Sequence, residues 1–421
     1  MVTMRRACFA IAALICAFAA WADDTMTGIF NERIKSLQVQ VDGYEYAPPV
    51  IVLGTPDQLT FSFDHLSDDR QYLRYELVHC NADWQPSGLA DVEFLDGFNL
   101  GDIDEYDFSQ MTTVHYVHYQ LTIPNAQVAP KISGNYLLKI FPENDPDDVW
   151  LQCRFMVSEE TAPISASATT RTDIDFNREH QQLSIVVDTE KTGIQDPFND
   201  LIVKVQQNGR WDNEVTLRQP LRMTNRSVSV YEHMQPLIFK AGNEYRRIET
   251  VSITNPTMGV ELVEYHHPYY HSVLYTDGER ASQPYYYDQT QHGRFKVREY
   301  NSTQSDIEAD YTVVHFTLDA PEMPDAMIFI DGDFTQRRFD PESLMTYNRA
   351  TGLYERSMLL KQGAYNYQYL VVPNGSSVGS ATQIEGDKHQ TGNEYTIRAY
   401  TRLPGERYDR LIGVNTIYTD M

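Results

Sequence analysis

Short runs in which apolar and polar residues alternate one for one recur along this chain. Each is stopped after a few residues by Gly, Pro, Asn or Asp, a pattern that predicts strands and leaves little room for helices. Leu37, Val39 and Val41 alternate before Asp42-Gly43, and Val50 to Leu53 sits between Pro49 and Gly54. Leu59, Phe61 and Phe63 face one way while Thr60, Ser62 and Asp64 face the other. Tyr72 to Cys80, Thr113 to Ile123, Tyr136 to Phe141 and Val149 to Val157 continue the series. Seven such runs read as an Ig-like β-sandwich.

The pattern repeats beyond a polar segment, Ser158 to Thr170, that contains two acids and Pro163. Leu183, Ile185 and Val187 predict one strand, and Leu201, Val203 and Val205 another. Asn208-Gly209 is a strong turn signal before Trp211. Val260 to Tyr275 and Tyr285 to Tyr300 form a Tyr-rich pair that is expected to complete a second sandwich. After the polar Ser302 to Asp310, Val314, Phe316 and Leu318 and then Tyr365, Tyr367, Tyr369 and Val371 begin and end a third. The expectation is an all-β chain of three tandem Ig-like sandwiches, residues 23–158, 159–301 and 302–421, which suits a length of 421 residues. The third run of motifs, with its Asp331-Gly332-Asp333-Phe334 turn, resembles the early-set modules found beside glycogen-active enzymes. Arg337 stands where such modules carry a sugar-stacking Trp, so the resemblance supports the fold and weakens sugar binding.

The most informative stretch is Leu77 to Phe98, LVHCNADWQPSGLADVEFLDGF. His79 and Cys80 are adjacent on a predicted strand and so point to opposite faces, which argues against a nucleophile and base. Asn81 to Asp83 turns the chain and presents Trp84, Phe94 and Phe98, either to the core, which is favoured, or to a partner. Cys80 and Cys153 are the only cysteines beyond the leader and could form one disulfide in an oxidising compartment. No metal is expected: His266, His267 and His271 lack ligand spacing on a strand, and the Asp145 to Asp148 and Asp331 to Asp333 clusters lack a calcium ladder. No catalytic residues and no cofactor are expected.

Arg5 and Arg6, an apolar run from Ala7 to Ala20, and Ala20-Trp21-Ala22 have the form of a signal peptide cleaved after Ala22. No later run reaches the ~18 apolar residues of a membrane helix. The formal net charge of −25, which loss of the leader makes more negative, argues against nucleic acid and anionic lipid.

His79-Cys80-Asn81-Ala82-Asp83-Trp84 with Pro86-Ser87, Leu95-Asp96-Gly97-Phe98, Tyr116 to Pro124, Ser133-Gly134-Asn135-Tyr136, Ile384-Glu385-Gly386 and Arg407-Tyr408-Asp409-Arg410-Leu411-Ile412-Gly413 occur in this order. Together they resemble the plug protein family of the type IX secretion system. The resemblance implies a non-enzymatic periplasmic protein, a monomer apart from its complex and not itself inserted in the membrane. It would cap the periplasmic mouth of the outer-membrane translocon β-barrel and seal the unoccupied pore. The candidate contact residues are Trp84, Phe94 and Phe98, or Tyr286 in the Tyr265 to Tyr287 hairpin, or Arg337 and Arg338. A periplasmic or surface glycan-binding sandwich protein is the alternative.

Overall fold

The computed structural model describes residues 25–419 and is nearly all β. The leader and its cleavage site at Ala22 lie outside the described residues.

The first sandwich follows the sequence pattern closely. One sheet orders Gly28–Ile29, Leu151–Ser158, Gly134–Pro142, Leu73–Cys80 and Gly101–Asp102, with Val50–Val52 parallel to Leu151–Ser158. The other orders Ile34–Val41, Leu59–His65, Val117–Ile123 and Glu105–Phe108. Their inward residues interdigitate in one core: Phe61 meets Phe155 edge-on across the sheets at 5.6 Å, and Phe63 stacks on its strand neighbour Tyr119 at 5.3 Å.

Two more cores follow, but strands reach them in an order that cuts across the expected boundaries. The second pairs a sheet built on Ile164–Thr169, His180–Asp188 and Val228–Tyr231 with one that orders Val215–Leu217, Leu201–Gln207, Glu394–Thr401 and Arg410–Tyr418. The final two strands, assigned from sequence to the third unit, thus complete the second core. Arg246–Glu249, Val260–His266, Tyr269–Leu274 and Phe295–Val297, assigned to the second, instead join sheets of the third. Within the Tyr-rich pair the hairpin is Val260–His266 with Tyr269–Leu274, whereas Phe295–Val297 pairs with Gly363–Pro373. Asn208 and Gly209 both take positive φ, as a type I′ turn between Leu201–Gln207 and Val215–Leu217 requires.

Among the described residues no helix is long and apolar enough to cross a membrane. That leaves β-barrels aside.

Candidate docking surface and the joint behind it

The motif residues at the two ends of the chain meet. Beyond Leu73–Cys80, Trp84 N–H donates to Asn81 O (2.9 Å), and the chain returns so that Ser87 N–H donates to His79 O (2.8 Å). Trp84 takes a φ of 65°, a conformation that costs a bulky residue about 1–3 kcal/mol and persists only where packing imposes it. The packing is there: Trp84 meets Trp211 of the second unit edge-on at 5.4 Å, and the Arg154 guanidinium lies over both indoles at 4.3 and 4.7 Å. Arg398 covers Trp211 from another strand and pairs with Glu214.

Beside this stack lies a polar clamp. Asp409 Oδ2 accepts the Ala82 N–H (3.0 Å) and Oδ1 accepts Arg402 Nε (2.9 Å). Asn81 Oδ1 accepts the Asp409 N–H (3.2 Å) and Arg402 Nη2 (3.0 Å). Asn135 Nδ2 donates to Asn81 O (2.9 Å), and the Tyr400 hydroxyl donates to Asn135 Oδ1 (2.9 Å). Arg407 pairs with Glu93 at the rim.

His79 is a structural member of the same joint. Nε2 donates to Ser133 O (3.1 Å), which leaves Nδ1 to accept from Ser87 Oγ (2.9 Å). Its ring packs against Tyr136, Tyr408 and Phe94. Burial drives its pKa down to about 4, so it is neutral at pH 7. Gly134 makes room for it, because a Cβ there would stand 2.5 Å from His79 Nε2 at a φ of 141°. Cys80 points to the opposite face and burial pushes its thiol up to about 12, so the pair is no nucleophile and base. The possible disulfide is not formed: both cysteines are free. Gly134–Pro142 runs between their strands, and Cys80 belongs to the joint while Cys153 lies in the first core, beyond the reach of an S–S bond.

Four of the six candidate contact residues are inside. Trp84, 3% exposed, and Phe94, 2%, are packed as described. Arg337 is buried with Nε on Asp333 (2.8 Å), Nη1 on the Tyr245 hydroxyl (3.1 Å) and Nη2 on His292 O. Arg338 is buried beside Phe30 and Thr27. Phe98 and Tyr286, 84% and 82% exposed, do face solvent.

Phe98 is held outward by its neighbours. Gly97 (φ 101°) passes so close to Gln127 O that a Cβ would overlap it at 1.9 Å. Asn99 pairs through its side chain with both backbone groups of Leu77 (2.8 Å each) and donates to Asp91 Oδ1 (3.0 Å). This holds residue 91 beside residue 99, and Val92, Phe98 and Leu100, which flank that contact in the chain, are all exposed. Sequence reasoning missed Val92, Leu100 and Asn99; the apolar spacing around Asp96-Gly97 was the available signal. Asp83 is exposed and caps Gln85 N–H (3.1 Å).

Residues 34–159 match the model of the type 9 secretion system plug protein 1st domain. A crystal structure of a hypothetical protein from Parabacteroides merdae ATCC 43184 is 43% identical, with a TM-score of 0.92 over 93% of this chain and 99% of that one. A Pseudomonas fluorescens alkylpurine DNA glycosylase bound to DNA is 10% identical over 30% of each chain, with a TM-score of 0.17. A fragment of native alpha-2-macroglobulin from Escherichia coli is also 10% identical, with a TM-score of 0.16 over 50% of this chain and 98% of the fragment. Neither of these two likenesses carries an argument. No curated protein matches.

Proposed function

Because this chain belongs to the plug family of the type IX secretion system, and so has a role associated with that system, we propose that it is the periplasmic stopper of the outer-membrane translocon barrel. It docks at the periplasmic mouth, performs no chemistry and closes the pore while no substrate occupies it.

The observation that supports this reading is the set of contacts that joins the three cores to one another. A wide aqueous pore is sealed only by a body that does not bend under solute traffic. Here each of the three cores is tied to both others by buried polar or aromatic contacts. The Asn81–Asp409 clamp and the Trp84–Trp211 stack tie the first core to the second. Tyr116, whose hydroxyl donates to Ala309 O (2.8 Å), ties the first to the third. Arg294 on Glu394 (2.8 Å) and Arg210 Nη2 on Gly379 O (2.8 Å) tie the second to the third. The contact residues in this reading are the exposed Val92, Phe98 and Leu100, apolar side chains that a partner would cover.

Two measurements test it. The translocon should co-purify with this chain in its unoccupied state, and cells without the chain should admit a small hydrophilic dye that the wild type excludes. A translocon recovered without it in every state, or an unchanged envelope, would overturn the reading.

A further inference from the structure

The outer face of the six-stranded sheet in the third unit carries a histidine cluster that the docking role does not use. His271 lies on Tyr269–Leu274 and His315 on the adjacent parallel strand Tyr311–Asp319, where Val273 is opposite His315. His271 Nδ1 is 2.8 Å from His315 Nε2, and the ring planes differ by only 13° at a centroid separation of 5.0 Å. A centroid separation that equals the nitrogen gap plus two ring radii places the imidazoles edge to edge, with these two nitrogens facing. Ser357 Oγ lies 2.7 Å from His315 Nδ1. With Nδ1–H donating to Ser357, His315 Nε2 keeps its lone pair and accepts from His271 Nδ1–H. His266, on the edge strand, packs at 5.1 Å from His271, and its Nε2 is 3.0 Å from Glu264 Oε2.

We propose that His271 and His315 form a two-imidazole chelate for a divalent first-row transition ion of the nickel, copper and zinc class. Two nitrogens bound side by side to one such ion, each at ~2.0–2.1 Å, stand roughly 3 Å apart; this pair already has that spacing, but its rings lie in line, so chelation needs an opening and a swing of both rings by tens of degrees. The half-exposed outer face permits both. On binding, the proton of His271 Nδ1 moves to Nε2, so the neutral pair takes up the ion without net proton release. Water fills the remaining positions, and His266 is one strand away. Among the described residues no three His, Cys, Asp or Glu groups converge on one point, so the site is a two-ligand one. Nitrogen-only ligation selects against calcium and magnesium. Ser357 orients His315 in the manner of outer-shell partners of metal-bound histidine. A bound ion would cross-link the two strands and fasten the Tyr-rich hairpin to the third core.

The test uses the full chain freed of metal by a chelator and titrated calorimetrically at pH 7.5 with nickel, copper or zinc chloride, with calcium chloride as control. The expected result is one equivalent of transition ion and no calcium. Binding should be lost in His271→Gln and His315→Gln and weakened about tenfold in Ser357→Ala. In the wild type, nitrogen-15 signals of both rings should shift on addition of zinc, a readout independent of any variant's folding. No binding, binding that survives in the His271→Gln/His315→Gln double variant, or binding that leaves both ring signals unmoved would overturn the proposal.

Discussion

Lys361 Nζ lies 2.6 Å from Asp64 Oδ2 although the two residues are 297 positions apart, and neither side chain is more than 1% exposed. Asp64 also accepts from His118 Nδ1 (2.6 Å) and the Tyr311 hydroxyl (2.6 Å), and Lys361 donates to Asp306 O (2.6 Å) over the Tyr116 ring. The first and third units are therefore joined through a dry ion pair.

Removal of one partner strands the other. Asp64→Asn or Lys361→Met alone should cost about 3–5 kcal/mol in urea unfolding, whereas Asp64→Leu combined with Lys361→Met should recover most of that loss. Additive single losses would show that the pair is not the joint.

Acid should loosen the protein through His79. Its folded-state pKa of about 4 is below the unfolded 6.5, so between these values the unfolded chain binds more protons. The stability His79 contributes is complete above pH 6.5 and fades as pH falls toward 4, by about 3 kcal/mol in all. His79→Gln should lower stability at pH 7.5 and flatten this window. Urea midpoints at pH 7.5 and 5.0 measure it, and an undiminished pH loss in the variant counts against the assignment. Burial alone would raise the carboxyls of Asp64, Glu385 and Glu394, but their Lys and Arg partners hold them below the usual range. Stability that depends on them persists above the ordinary carboxylate range and is lost at still lower pH.

Trp84 separates packing from hydrogen bonding, because its buried Nε1 has no partner among the described residues. Trp84→Phe should be mild and Trp84→Ala should cost about 3–5 kcal/mol, read from thermal and urea melts. Equal losses would point to an unseen polar role.

The docking patch predicts a substitution that spares the fold. Phe98→Asp, at a site 84% exposed, should change stability by less than about 0.5 kcal/mol yet weaken translocon binding about 30-fold or more. Gly97→Ala should weaken binding and also destabilise by more than about 1 kcal/mol, because its Cβ meets Gln127 O. Pull-down and thermal melts distinguish them, and unchanged binding by Phe98→Asp would move the contact elsewhere.

Much of the strand inventory was legible because alternation is local. Leu73, Tyr75 and Leu77 declare their face within five residues, and the core confirms it. Strand partners are not local. Nothing near Glu394–Thr401 announces that it pairs with Leu201–Gln207, so the second and third units were divided at the wrong strands. The same distance hid the surroundings of the candidate site. Trp84 has the chemistry of an interface anchor, but Trp211 and Arg154, which cover it, come from far along the chain. Arg337 was more readable, since Asp333 stands four residues away. His315 completes the histidine pair from another strand, which spacing around His271 could not show.

Because the third unit is looped out between Leu217 and Glu394 of a single sheet, the second unit cannot finish folding until the last strands arrive. A chain emerging from its N-terminus would hold that sheet edge open through most of its passage. The first unit, whose core lies within residues 28–158, can close earlier, but its joint to the second waits for Asp409, so the three units lock together only on delivery of Glu394–Tyr418.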